Sequence, residues 1–267
     1  MKNLLLYAND DAGLESRLQA AFDVARAFGA HISCVQATPF EAFLVGDPFG
    51  GIYAIPTVMQ RVDEASAANR ARVEERMRRE GVTWDGVHYD GAPAQVVVAS
   101  SRLSDLIVLS LPGGASGPTP PLAGDVAVHA GAPVLAVPEA GRGIDCAGTA
   151  LVAWNGSPEP SHAARAAVPM LKLAGEVAIV TVTGELSEFP ATDAAEYLAR
   201  HGIEAKLHEW PKRDLDVAEA LLDAADRLGA AYVVMGAYGH SRLRETVFGG
   251  ATRDMLNSGK VPLLLAR

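Results

Sequence analysis

The sequence predicts an α/β protein of two tandem doubly wound domains, each a five-stranded, mainly parallel sheet with helices on both faces. Three observations carry this. Short apolar runs of strand length alternate with Ala-rich segments of helical periodicity, the pattern of βαβ units with right-handed crossovers. The chain is written twice, its halves opening and closing on matching phrases. Composition agrees: 49% of the 267 residues are apolar and only 6% aromatic, so small aliphatic side chains dominate and helices can lie close on a sheet.

Each half opens on a strand that runs into polar turn formers and an Ala-rich helix. In the first, Leu4-Leu5-Leu6-Tyr7-Ala8-Asn9-Asp10 precedes a helix whose Leu14, Leu18, Ala21, Phe22 and Ala25 share one face. In the second, Ala150-Leu151-Val152-Ala153-Trp154-Asn155 precedes a helix with Ala163, Ala164, Ala167, Val168 and Leu171 on one face. Second strands are expected over 31–36 and 176–183, third strands over 82–89 and 203–210. The fourth, 105–109 and 232–235, are near-continuous apolar runs, as strands buried on both faces require. The halves close on Ala132-Pro133-Val134-Leu135-Ala136-Val137 and Val261-Pro262-Leu263-Leu264-Leu265-Ala266. These last strands are the elements expected to meet when the halves pack as a pseudo-dimer. A linker over 138–148, with three glycines, divides the chain into domains 1–139 and 148–267. The first domain is longer because of segment 38–57, whose Phe40, Phe43, Phe49 and Tyr53 are expected to cover their own sheet. A helix over 58–80 follows, and its mixed charges, Glu74-Glu75-Arg76 and Arg78-Arg79-Glu80, mark a solvated face.

Composition also excludes functions. A net charge of −9 argues against broad binding to nucleic acid or anionic membranes, which draws on clustered Lys and Arg. No run reaches the ~18 apolar residues of a membrane span, and Met1-Lys2-Asn3 leads directly into a strand without the layout of a signal peptide; the expected setting is cytoplasmic. Cys34 and Cys146 form no disulfide framework and have no metal-ligand spacing.

The feature that best points to a ligand is Gly236-Ala237-Tyr238-Gly239, nine residues, then Gly249-Gly250-Ala251-Thr252, directly after the last buried strand but one. Spaced glycines let backbone N–H groups approach an anion, and a helix opening at the second cluster adds its positive dipole end. The alternative is that these glycines only turn the chain. In a doubly wound sheet the ligand crevice lies outside the carboxyl ends of strands where the strand order reverses. Met235, Trp154-Asn155 and Val182 should converge there. Asn155 could read a base or ribose edge, or simply cap the turn at Gly156-Ser157-Pro158.

With this motif the halves resemble tandem universal stress protein domains, whose adenine-nucleotide signature is Gly-x2-Gly-x9-Gly followed by Ser or Thr. Gly236, Gly239 and Gly249 match it; Gly250 stands where the family has a hydroxyl residue, and Asn155 where it has Asp. The resemblance implies an adenine nucleotide alpha hydrolase-like fold. It also implies a site for ATP or another adenine nucleotide, with or without Mg²⁺, in the C-terminal domain. Ala153, Trp154, Asn155, Val182 and Met235 would surround base and ribose; the glycines, His240, Ala251 and Thr252 would lie toward the phosphates. In the first half Asp10 matches the family's acidic residue, but the fourth strand leads into a stretch from Ser110 to Pro121 rich in Pro and without the glycine spacing. A flexible or merely structural loop is expected there, hence one site per chain. Gly91-Ala92-Pro93-Ala94 resembles the family's loop between third strand and third helix, with Pro at an ordinary helix start.

No catalytic set emerges. His240 is either a phosphate contact or an exposed loop residue, and Arg242 and Arg244 are phosphate contacts, solvated, or paired with Glu245. Ser157 lacks a nucleophile elbow, and Asp125 and Asp254 read as helix-surface residues without a partner carboxylate. The expected function is a stress-response protein that binds an adenine nucleotide and acts through a protein partner or homodimer, its occupancy ordering the 240–248 loop. The alternatives are a slow nucleotide-hydrolysing or adenylyl/phosphoryl-transferring enzyme, and a nucleotide-independent scaffold.

Overall fold

A computed structural model describes residues 1–39, 44–46, 52–54, 56–112, 121–183, 189–238 and 250–267. The first half contains β1 (Asn3–Tyr7), α1 (Leu14–Phe28), β2 (His31–Thr38), the short hairpin β3 (Leu44–Gly46) and β4 (Ile52–Ala54), and α2 (Pro56–Glu80). It continues through β5 (Trp84–Asp90), α3 (Pro93–Ser100), β6 (Leu106–Leu111), α4 (Leu122–His129) and β7 (Val134–Pro138). The second comprises β8 (Thr149–Ala153), α5 (Pro158–Leu171), β9 (Glu176–Val182), α6 (Ala191–Arg200) and β10 (Ala205–Trp210). After these come α7 (Val217–Arg227), β11 (Ala230–Gly236), α8 (Gly250–Ser258) and β12 (Leu263–Ala266).

Strand order is β10-β9-β8-β11-β12-β7-β6-β1-β2-β5, so each half is a five-stranded parallel sheet wound outward in both directions from its first strand. The halves fuse into one ten-stranded sheet through β12 and β7, which pair antiparallel with Leu264 opposite Leu135. Pro133 and Pro262, lacking a donor, stand just before these strands, where their carbonyls still accept from Ile107 and Val233. The strands expected to meet therefore join as a ladder around a local two-fold.

Strand alternation sends Leu4, Leu6, Val152 and Val234 to one face, under α1, α2, α5 and α6. Leu5, Leu151, Val233 and Leu265 go to the other, under α3, α4, α7 and α8. The long α2 keeps the solvated character its charges suggested: only Asn69, Val73 and Met77 are buried on it. Of the aromatic segment, only the backbone of the β3–β4 hairpin is described, and the covering role expected of Phe40, Phe43, Phe49 and Tyr53 lies outside the described residues. Among the described residues no helix is long and apolar enough to cross a membrane.

The register corrects one assignment. Leu4 pairs with Leu106 as Ala150 pairs with Tyr232, which makes Asn9, not Asp10, the equivalent of Asn155. Asn9 ties β1 to β2, donating from Nδ2 to the Ala37 carbonyl and accepting the Ala37 N–H. Asp10 instead pairs with Arg72 on α2.

Candidate functional site

The second half's crevice opens where β8 and β11 diverge toward their helices. A cavity of about 420 Å³ lies there, within the range of small-molecule sites. Its floor is apolar: Ala153, Val180, Val182 and Met235 come from three neighbouring strands and are all buried. One wall is the start of α7, with Asp216, Val217, Ala218 and Leu221; the facing wall is the start of α8, with Gly250, Ala251, Thr252 and Asp254. Asn155, Ser157, Glu159 and Lys212 complete the lining. Two helix N-termini thus face one space. Asp216 caps α7, accepting the Glu219 N–H while the Glu219 carboxylate accepts its own, so that end is satisfied from within.

The glycines have separate physical reasons. A Cβ on Gly236 would come within 2.5 Å of the Glu159 Cβ and 2.7 Å of the Pro160 nitrogen, so this glycine lets α5 start against the end of β11. That is packing, the alternative reading of the motif. Among the described residues, a Cβ on Gly250 would meet nothing nearer than the Asp254 carboxylate at 3.6 Å. Nothing among the described residues requires glycine there, and Gly250 lines the cavity.

Several expected contacts are engaged locally. The Asn155 Oδ1 accepts from the Ser157 N–H at 3.1 Å and its hydroxyl at 2.8 Å, the turn-capping role. Thr252 Oγ1 donates to the Gly236 carbonyl at 3.3 Å. Trp154 donates its N–H to the Val180 carbonyl, and alternation turns its indole to the opposite face, where Nε1 donates to the Phe189 carbonyl at 2.9 Å. Of the residues expected in the site, Ala153, Trp154, Asn155, Val182, Met235, Gly236, Gly250, Ala251 and Thr252 all line this cavity. Gly239, His240 and Gly249 lie outside the described residues, as do Arg242 and Arg244.

The structure adds residues that the sequence reading passed over. Asp254 lines the cavity instead of lying only on a helix surface, and Glu159, Asp216 and Lys212 join it. The spacing Asp216-x-x-Glu219, a capping-box signature, was the available sign that a helix starts there. Three carboxylates and one ammonium therefore border the cavity among the described residues. Among those residues no group of three His, Cys, Asp or Glu could hold a metal ion.

The equivalent place in the first half is built differently. By register Tyr7 takes the position of Ala153, and Arg17 occupies the helix position of Ala163. Arg17 is 1% exposed. It donates to the carbonyls of Tyr7 and Asn9, to both oxygens of Asp11, and to the Ser110 hydroxyl at 2.8 Å. Its guanidinium also stands 5.3 Å from the Tyr7 ring centre. Burial pushes the Tyr7 hydroxyl up to about 12, with Asp11 adding to the shift. The close helix–strand contact recurs with the small residue exchanged. Gly13 on the helix faces Ser110 on β6, and a Cβ on Gly13 would overlap the Ser110 side chain.

Comparison with known proteins agrees with this architecture. Residues 148–267 match the model of the universal stress protein family. A universal stress protein from Archaeoglobus fulgidus DSM 4304 is similar over 99% of this chain and 96% of its own, at 15% identity and TM-score 0.76. A Pseudomonas aeruginosa PAO1 protein described as functionally unknown is similar over 99% of this chain and 92% of its own, at 19% identity and TM-score 0.57. A universal stress protein solved in complex with cAMP covers 51% of this chain and 96% of its own, at 17% identity and TM-score 0.39. No curated protein is similar enough in sequence to match.

Proposed function

We propose that this chain, of the universal stress protein family by its residues 148–267 and of the tandem universal stress protein fold over its length, binds an adenine nucleotide in its C-terminal half. The supporting observation is the cavity at the switch point of β8 and β11, floored by Ala153, Val182 and Met235 and flanked by the start of α8 at Gly250. A flat base finds an apolar bed on the floor, while a phosphate finds the start of α8. The carboxylates of Glu159, Asp216 and Asp254 oppose a bare polyphosphate, so charge at that end favours few phosphates or a nucleotide carrying Mg²⁺. Occupancy then serves as the signal read by a protein partner or a second copy of the chain, in a cytoplasmic setting.

Mass spectrometry of ligand released from freshly purified protein, followed by calorimetric titration of ATP, ADP and AMP with and without Mg²⁺, tests this. An adenine nucleotide that binds saturably is expected; none bound or bindable overturns the proposal. One observation favours a second reading, slow hydrolysis or group transfer: Asp254 lines the cavity, where a carboxylate could serve as base. That reading predicts ATP turnover abolished by Asp254→Asn with binding retained.

A further inference from the structure

A second cavity, of about 430 Å³, lies on the opposite face of the sheet between α5 and α6. It is as large as the first and shares one residue with it, Trp154. Its origin is local and physical. Ala164 on α5 and Ala194 on α6 are both buried at the helix contact, and their short side chains leave room that Leu would fill. Around this floor stand three aromatic rings. The Trp154 indole is held by its hydrogen bond to the Phe189 carbonyl, with the two ring centres 6.4 Å apart, and Tyr197 faces them from α6. Phe189, a large apolar ring beside the groove, is 48% exposed.

Charge at the rim narrows the occupant. Arg200 and Glu196 pair with each other at 3.3 Å. That leaves Arg165 on α5 and Asp193 in the first turn of α6, and among the described residues neither has an ion-pair partner. One guanidinium and one carboxylate, set on opposite walls of an aromatic groove, complement a ligand with a planar apolar body and one charge of each sign. We infer that this groove is a binding site for a free aromatic amino acid, separate from the nucleotide cavity. Arg165 would take the ligand's carboxylate, Asp193 its ammonium, and the aromatic walls its ring. Trp154 then reports occupancy directly, because its indole forms part of the wall.

The test is titration of the full chain with L-phenylalanine, which is silent where tryptophan emits, read by tryptophan fluorescence and by calorimetry. Saturable binding is expected. It should weaken at least tenfold in Arg165→Gln and in Asp193→Asn, and at least tenfold when phenylpropionate or phenethylamine replaces the amino acid. The fluorescence change should vanish in Trp154→Phe, and Ala194→Leu should block binding. Absence of saturable binding overturns the inference. Affinity unchanged from the parent in either charge variant, or unchanged from the amino acid for either ligand lacking one charge, overturns it as well; both charge variants alter the rim and leave the helix core intact.

Discussion

The two switch points of this molecule sit on the same frame and hold opposite contents. In the second half β8 ends in Ala153, β11 in Gly236, and an apolar-floored cavity opens between the starts of α7 and α8. In the first half β1 ends in Tyr7, and the buried Arg17 joins the carbonyls of Tyr7 and Asn9 to Asp11 and Ser110. Where one half leaves a cavity, the other bolts its strand ends together with its own side chains. The close approach of helix to strand is common to both and is met reciprocally, by glycine on β11 in one and on the helix start in the other. The difference teaches that a repeated fold preserves its steric contacts more faithfully than its cavities, because a contact can be satisfied from either side.

The largest effect that should break this comparison is at Arg17. Arg17→Leu removes donors to two carbonyls and Asp11 and should lower unfolding free energy by about 3 kcal/mol; denaturant unfolding that shows no loss would make the bolt ornamental. Next come the two glycines. Gly236→Ala and Gly13→Ala should each destabilise by about 2 kcal/mol through overpacking, and Ser110→Gly should restore the Gly13 variant but not the Gly236 variant. Gly250→Ala sharpens the contrast, since by steric argument it should leave stability unchanged or raise it by about 0.5 kcal/mol, while weakening nucleotide binding measured by calorimetry.

The smallest effect is at the other end of the strands. Asp105 accepts the N–H groups of Lys2 and Asn3, and these hydrogen bonds hold its carboxyl below the usual carboxylate range. A depressed value means that its contribution is present above the unfolded-state value near ~4 and is lost as pH falls through the lower folded value. Because the group is exposed, Asp105→Asn should lower stability at neutral pH by no more than about 0.5 kcal/mol, and the difference from the parent should disappear at low pH. In the second half the corresponding strand start carries Ala230 and a register slip before Tyr232.

Much of this was legible from sequence. Strands buried on both faces announce themselves as apolar runs, and repetition of the same phrases fixed the pairing of halves, down to the strands Val134–Pro138 and Leu263–Ala266 that join them. The apolar floor of the cavity was equally readable, since Ala153, Val182 and Met235 end strands that the fold must bring together. Charges were not. Glu159, Asp216 and Asp254 border one cavity only through the placement of three helix starts, and no spacing along the chain encodes that. Nor does a motif distinguish a glycine required by a neighbouring helix from one that no described residue crowds; Gly236 and Gly250 look alike until the contacts are known. The offset of Asp10 against Asn9 had the same cause, because strand register, not resemblance of phrases, sets which residues are equivalent.

The central claim is that one half is open to a nucleotide and the other closed, and binding stoichiometry tests it most directly. Calorimetry of the full chain with AMP and with Mg²⁺-ATP should give one equivalent per chain for whichever nucleotide binds, and binding should be lost in Ala153→Tyr, which places in the second half the residue the first half carries at Tyr7. Two equivalents per chain, or undiminished binding in the folded Ala153→Tyr variant, would contradict it.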